Sequence, residues 1–202
     1  MAWYTRNVFC RDPNYSPNFA LRMPSGDIRW MAGIRTATRV DPEPHDLTAD
    51  LYQDAPATEL PDFIMISSQY VASDRFRQIV EEFEPGLHQF IPIMLRDAEF
   101  RPIESPYWFL NVLTVRDAVL RNAALTELKK SGTIPDREEI LAKYGSTHEF
   151  IDSSMTVGKQ LWRNSAFTWD LFLSDELYRQ ICSAGPHKLD VWRAIEVNIS
   201  AA

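Results

Sequence analysis

Asp62-Phe63-Ile64-Met65-Ile66-Ser67, then Ser73-Asp74-Arg75-Phe76-Arg77-Gln78-Ile79-Val80, then His88-Gln89-Phe90-Ile91-Pro92-Ile93-Met94-Leu95, decide the fold class. The first segment is an apolar run of strand length. Ser73 is a good N-cap, and Asp74 stands in the first helical turn, where a negative charge meets the positive end of the helix dipole. Phe76, Ile79, Val80 and Phe83 follow at i, i+3, i+4 and i+7, one face of a helix. Pro85-Gly86 stops it. Phe90, Ile91, Ile93 and Leu95 then supply a second strand. The unit reads strand, helix, strand.

The same order returns near the C-terminus. Asp170-Leu171-Phe172-Leu173 is a short apolar strand, and Ser174-Asp175 starts a second helix. Leu177, Ile181 and Ala184 mark its buried side, with Tyr178 and Cys182 beside them. Gly185-Pro186 combines the Gly and Pro expected just past a helix end. Residues 189–197 read as the return strand. The two helix starts match with a one-residue slip further along. This suggests an internal strand–helix–strand duplication. Independent use of common caps and breakers would look the same.

Around these units the signal is weaker. Residues 2–9 read as a first strand. Turn chemistry follows at Asp12-Pro13-Asn14, Ser16-Pro17-Asn18 and Pro24-Ser25-Gly26-Asp27, with a short strand near 28–31. Residues 41–61 hold Pro42, Pro44, Pro56 and Pro61 and read as a long surface connection, with a short strand or turn around 47–52. Residues 107–115 read as a buried strand or the start of a helix, and 116–130 are helix-compatible. Asp136-Arg137-Glu138-Glu139 resembles a capping box. Residues 148–163 read as a hairpin or two strands around Val157-Gly158-Lys159. The expectation is an α+β fold: mixed sheets with a few packed helices. Residues 1–60 form a β-rich and loop region ending in the acidic connection. Residues 61–202 form the main α+β domain, the whole making one compact unit.

At 202 residues the chain buries roughly 70% of the surface its unfolded form exposes, and needs no disulfide or metal for stability. The 6 Trp, 7 Tyr and 11 Phe suit a ring-rich core and strand faces, though Trp and Tyr also favour binding surfaces. Cys10 and Cys182 are the two cysteines; scattered thiols and the absence of a leader-like N-terminus fit a reducing, cytoplasmic setting. No uncharged apolar run approaches membrane-spanning length. The net charge of -7 is uneven. Residues 1–40 carry Arg6, Arg11, Arg22, Arg29, Arg35 and Arg39 against Asp12 and Asp27. Residues 41–62 carry Asp41, Glu43, Asp46, Asp50, Asp54, Glu59 and Asp62 with no Lys or Arg. A generally acidic chain is a poor partner for nucleic acid, whose phosphates need clustered cations. The acidic stretch can steer a basic protein partner, or can simply be a solvated loop.

No catalytic signature is present. His45, His88, His148 and His187 are scattered, neither Cys has a partner at C-x-x-C spacing, and His148-Glu149 lacks the second His of a zinc-protease motif, so neither a metal nor another cofactor is expected. There is no Gly-x-Ser-x-Gly elbow and no phosphate-binding glycine loop. Ser67-Ser68 and Ser153-Ser154 read as capping and turn residues. Glu81-Glu82 and Glu138-Glu139 are helix neighbours that do not face each other, and read as solvated faces. A binder is the expected class. An enzyme with an unrecognised site, or a structural or adaptor protein, self-associating or not, are the alternatives from other classes.

Four segments carry a resemblance. They are Leu60-Pro61-Asp62-Phe63-Ile64-Met65-Ile66-Ser67; residues 73–80 leading to Phe90-Ile91-Pro92-Ile93; Tyr107-Trp108-Phe109-Leu110-Asn111-Val112-Leu113 followed by Asp117; and Leu161-Trp162-Arg163 leading to Phe172-Leu173-Ser174-Asp175-Glu176-Leu177. In order and spacing, residues 60–197 resemble a bacterial immunity-protein family of polymorphic toxin systems, the eleventh in the usual naming and formerly a domain of unknown function. The resemblance implies a protein that binds and neutralises a cognate toxin or effector made by the same cell, without catalysis. It identifies neither the toxin nor the contact surface. The acidic residues Asp41, Glu43, Asp46, Asp50, Asp54 and Glu59 are the candidate partner-binding set.

Overall fold

A computed structural model of the chain describes residues 2–5, 19–23, 28–41, 44, 46–51, 60–120, 125–126, 128, 130, 149–165, 170–184 and 191–199. Within these, β1 (Ala2–Thr5), β2 (Phe19–Arg22), α1 (Arg29–Arg35) and β3 (Thr48–Leu51) precede β4 (Phe63–Ile66), β5 (Gln69–Ser73), α2 (Asp74–Phe83), β6 (Gln89–Arg96) and β7 (Tyr107–Asn111). Then follow β8 (Val115–Arg116), β9 (Phe150–Asp152), a 3-10 turn (Ser153–Met155), β10 (Leu161–Asn164), β11 (Leu171–Ser174), α3 (Asp175–Ser183), β12 (Trp192–Arg193) and β13 (Ile195–Val197). The α+β expectation holds. A six-stranded sheet runs β2-β3-β6-β7-β5-β4, and a five-stranded sheet runs β12-β1-β11-β10-β8. β13 pairs with β9.

The expected repeat takes a fuller form than strand–helix–strand. Ser67 and Ser68, both at positive φ, make a two-residue turn that pairs β4 with β5. Both central residues at positive φ is the geometry that matches strand twist in a tight hairpin. The unit is therefore hairpin, helix, return strand. β4, β5, α2 and β6 correspond to β10, β11, α3 and β12. From β5 onward a constant separation of 101 positions takes Ser73 to Ser174, Phe76 to Leu177, Val80 to Ile181 and Ile91 to Trp192, while β4 and β10 correspond at 98 positions because the second hairpin loop is longer. There is no one-residue slip: Val80 and Ile181, both buried, are the matching pair.

The fourth strand differs between the copies. β7 lies between β5 and β6, and the N-terminal strand β1 takes the corresponding place between β11 and β12. The registers agree: Trp108 pairs with Ala72 and Pro92, and Trp3 pairs with their counterparts Leu173 and Arg193. The second copy is thus closed by the beginning of the chain.

Matching residues also do matching work. Ser73 Oγ accepts from Phe76 N at 3.2 Å, and Ser174 Oγ accepts from Leu177 N at 3.0 Å. Trp108 Nε1 donates to Asp74 at 3.1 Å, and Trp3 Nε1 donates to Asp175 at 2.9 Å. Arg77 lies over the Trp108 ring, and its counterpart Tyr178 stacks on Trp3. Ser73 donates to Asp62 before the first hairpin, and Ser174 to Gln160 before the second.

The two units share one core. Phe63, Tyr70, Ala72, Phe76, Ile79, Val80 and Leu110 from the first meet Leu161, Leu171, Leu173, Leu177 and Ile181 from the second, with α2 against α3. On the opposite face of the six-stranded sheet, α1 buries Trp30 and Ile34 against Ile91, Phe109 and their neighbours. On the opposite face of the five-stranded sheet, Tyr4, Phe172 and Trp162 stack across β1, β11 and β10. Many of the rings go to core and strand faces, where aromatic side chains bury large areas.

Other expectations are corrected. Residues 29–35 are a helix, not a strand: Trp30 and Ile34, four apart, form its buried stripe. Gly33 lets the following loop close on α1, since a Cβ there would lie 3.0 Å from Val40 Cγ2. The short strand allowed for around 47–52 is β3, but it is an interior strand of the sheet rather than part of a surface connection, antiparallel to β2 and parallel to β6. Val115 and Arg116 form a strand, so the helix-compatible stretch 116–130 begins later, with the described residues 125–126, 128 and 130 helical. Of the two readings of 148–163, two strands holds: β9 and β10 flank Val157-Gly158-Lys159, but they belong to different sheets and do not pair as a hairpin. The return strand near 189–197 is two short strands, β12 and β13, also in different sheets. The helix expected at 136–145 and the Gly185-Pro186 stop lie outside the described residues.

Candidate interaction surface

The acidic candidates are divided by the fold. Asp50 is 5% exposed. It accepts from Arg22 Nε at 3.0 Å and from Arg96 Nε at 2.6 Å. Burial pushes its carboxyl up, but the hydrogen bonds and charges of the two arginines outweigh this and hold it below its ordinary value. Covered by its cations, Asp50 offers no free negative charge to a partner. Asp62, from the same stretch, is equally engaged with Ser73 and Arg75. Asp41 and Asp46 are exposed. Glu43, Asp54 and Glu59 lie outside the described residues.

The closest approach to a catalytic-looking pair is Glu84 with His88. His88 Nδ1 accepts from Leu113 N at 3.3 Å, which leaves Nε2–H to donate to Glu84 Oε2 at 2.8 Å. Glu84 also accepts from Gln160 N and Leu161 N, both at 3.1 Å. Every one of these bonds runs within the fold, and the pair is buried. Burial raises the Glu84 carboxyl, yet the bonds from His88 and the two backbone N–H groups bring it below its ordinary value. The arrangement fastens the end of α2 to β10.

Arg163 is a second buried polar feature. Its guanidinium donates to Ile34 O at 2.6 Å and Leu110 O at 3.4 Å, and its Nε has no partner. Burial lowers its pKa to about 10, so it remains charged at neutral pH. Ile34 lies at the C-terminal end of α1, where carbonyls concentrate negative potential. Among the described residues, no group of three or more His, Cys, Asp and Glu is placed to hold a metal ion. No described helix is long and apolar enough to cross a membrane. Cys182 is a half-buried free thiol on α3.

Among the described residues, the outward face of the six-stranded sheet carries a distinctive surface region. α2 packs on β5 and β7, and the same sheet face continues past it over β6, β3 and β2. Along β6, Ile91, Ile93 and Leu95 point to the α1 core, while Pro92 and Met94 point out and are exposed. Met94 is 51% exposed and Phe100, in the turn after β6, is 61% exposed. Trp108 stands beside Pro92 in register, and Thr48 beside Met94. Arg77 covers the Trp108 ring and Arg96 lies 5.7 Å from the Phe100 centroid. Arg22, Asp50 and Arg96 border the same stripe.

The immunity protein family (Imm11) matches the chain over residues 16–196, most of its length. The chain belongs to this immunity protein family. No curated protein matches it. The Imm11 match begins well before residue 60, where the resemblance in the sequence began, and so takes in β2, α1 and β3. These elements complete the six-stranded sheet, which explains why the family's extent follows the sheet. Membership in Imm11 points to toxin immunity. The outward stripe on β6 was missed in the sequence because 89–96 reads as a continuous apolar run. Such a run in a strand with only one covered face places apolar side chains in solvent.

Proposed function

We propose that this protein binds a protein toxin or effector made by the same cell and neutralises it by occlusion, in the cytoplasm and without catalysis. The family match over residues 16–196 is the observation that carries this reading. The structure is compatible with it. The buried Glu84–His88 pair is committed to holding the fold, and a stoichiometric inhibitor needs only a stable scaffold and a complementary patch of roughly 800 Å².

The acidic segment remains a proposed contact in narrower form. Asp41 and Asp46 are exposed and can steer a basic toxin, with Glu43, Asp54 and Glu59 from the same stretch; Asp50 is not suited to this. The test is to mix the purified protein with the toxin encoded beside its gene. Co-elution on size exclusion and protection of cells on co-expression are the expected results. Absence of both would overturn the reading. Replacing Asp41 and Asp46 with Lys should slow association and flatten its salt dependence; an unchanged rate would reduce the segment to a solvated loop.

A further inference from the structure

We infer that the toxin docks on the open face of the six-stranded sheet, centred on Met94, Phe100 and Trp108, and that it presents there an apolar side chain flanked by a carboxylate. This rests on the immunity reading for the existence of a protein partner. The place and the chemistry come from the structure.

Three observations converge on this face. The first is exposure of apolar surface on a rigid element. Pro92 and Met94 stand on β6, an interior strand hydrogen-bonded to β3 and β7, so their positions are held by the sheet rather than by a loop. Met94 and Phe100 are each more than half exposed. Apolar groups clustered with Trp and Arg have the composition of an interface hot spot.

The second observation is charge. Asp50 is one carboxylate shared by two arginines, Arg22 through Oδ2 and Arg96 through Oδ1. Among the described residues, one unit of positive charge is left over at that point. Arg22 keeps 61% of its side chain in solvent, so its guanidinium can take a further acceptor. A carboxylate on the partner, laid beside an apolar group on Met94 and Phe100, would meet that excess. Arg96 is held on one side by Asp50 and on the other by the Phe100 ring, which pre-orders it at no cost on binding.

The third observation is size. Four strands about 4.8 Å apart, seen over some four to five residues at about 3.4 Å each, span roughly 300 Å². This is the core of a standard interface rather than the whole of it. The rim is at hand in the exposed Asp46, two residues before Thr48, and in the turn that carries Glu99 and Arg101.

The test uses the full-length protein and the purified toxin encoded beside its gene. Met94→Asp and Phe100→Asp are each expected to weaken binding at least 10-fold while leaving the thermal unfolding midpoint in place. Arg22→Gln is expected to weaken binding less and to reduce its dependence on salt. If wild type binds the toxin and both Asp variants bind equally well, the docking face is overturned while the immunity reading stands. If wild type does not bind at all, both fall. If Met94→Asp instead converts a self-associating protein into a monomer without changing toxin affinity, the face joins copies of this chain and the toxin assignment is wrong.

Discussion

Replacing Glu84 with Ala should reveal how firmly the two repeat units are joined. Glu84 caps the end of α2 in the first unit and receives the N–H groups of Gln160 and Leu161 at the start of β10 in the second. It also takes the Nε2–H of His88. Truncation orphans three buried donors at once. A single buried donor left unpaired costs about 1–3 kcal/mol, with the upper end expected where the lost acceptor was a charged carboxylate. The three losses overlap at one site, so the expected loss is about 3–5 kcal/mol. For a chain of this size each kcal/mol lowers Tm by about 2–4 °C, giving a drop of roughly 6–20 °C. Glu84→Gln keeps the shape and one acceptor, and should lose about 1–3 kcal/mol.

Urea unfolding followed by tryptophan fluorescence measures both variants. The pH dependence supplies an independent check. The Glu84 carboxyl sits below its ordinary value of 4.5 in the fold. Its stabilisation is therefore full above that value and is lost as pH falls through the lower, folded pKa. The gap between wild type and Glu84→Ala should be constant near neutrality and shrink on acidification below about pH 4.5. A loss under about 1 kcal/mol, or a gap that does not narrow in acid, would refute the assignment of Glu84 as the joint.

Other expectations concern the repeat and the buried cation. Ser73→Ala and Ser174→Ala should each cost about 1 kcal/mol as lost helix caps, with Ser73 the more costly because its second bond, at 2.6 Å, goes to the buried carboxylate of Asp62, whereas that of Ser174 goes to the neutral, part-buried amide of Gln160; urea midpoints would show it. Deleting residues 1–5 removes β1 from between β11 and β12 and should abolish cooperative unfolding in calorimetry, whereas an N-terminus dispensable to the fold would leave the transition intact. Arg163→Ala should destabilise by about 2–4 kcal/mol by removing the hydrogen bonds to the Ile34 and Leu110 carbonyls and leaving a void, and Arg163→Met, which fills the void, by less; equal losses in urea titrations would argue against a packing contribution.

Much of the local structure was legible because its causes are local. Ser73-Asp74 and Ser174-Asp175 cap their helices with their own side chains, and the buried stripes of α2 and α3 are set by spacing within ten residues. What escaped depends on distant partners. β3 reads as a short strand or turn inside an acidic surface connection because the cations that neutralise Asp50 stand 28 positions before and 46 positions after it. β5 was overlooked because Ser67-Ser68 resembles a strand end, and its role as a tight turn shows only through backbone angles. β1 closes the second unit from the far end of the chain, with Trp3 bonded to a residue 172 positions away. The candidate surface was legible only as charge. Its acidic part survives at Asp41 and Asp46, while the apolar stripe of Pro92 and Met94 needs the knowledge that α2 stops short of β6.

The most direct test of toxin immunity is a co-expression assay with the toxin encoded beside this chain's gene, paired with size exclusion of the two purified proteins. Restored growth together with co-elution is the expected result. Continued killing by the toxin despite abundant, folded protein, with the two proteins eluting separately, would contradict it.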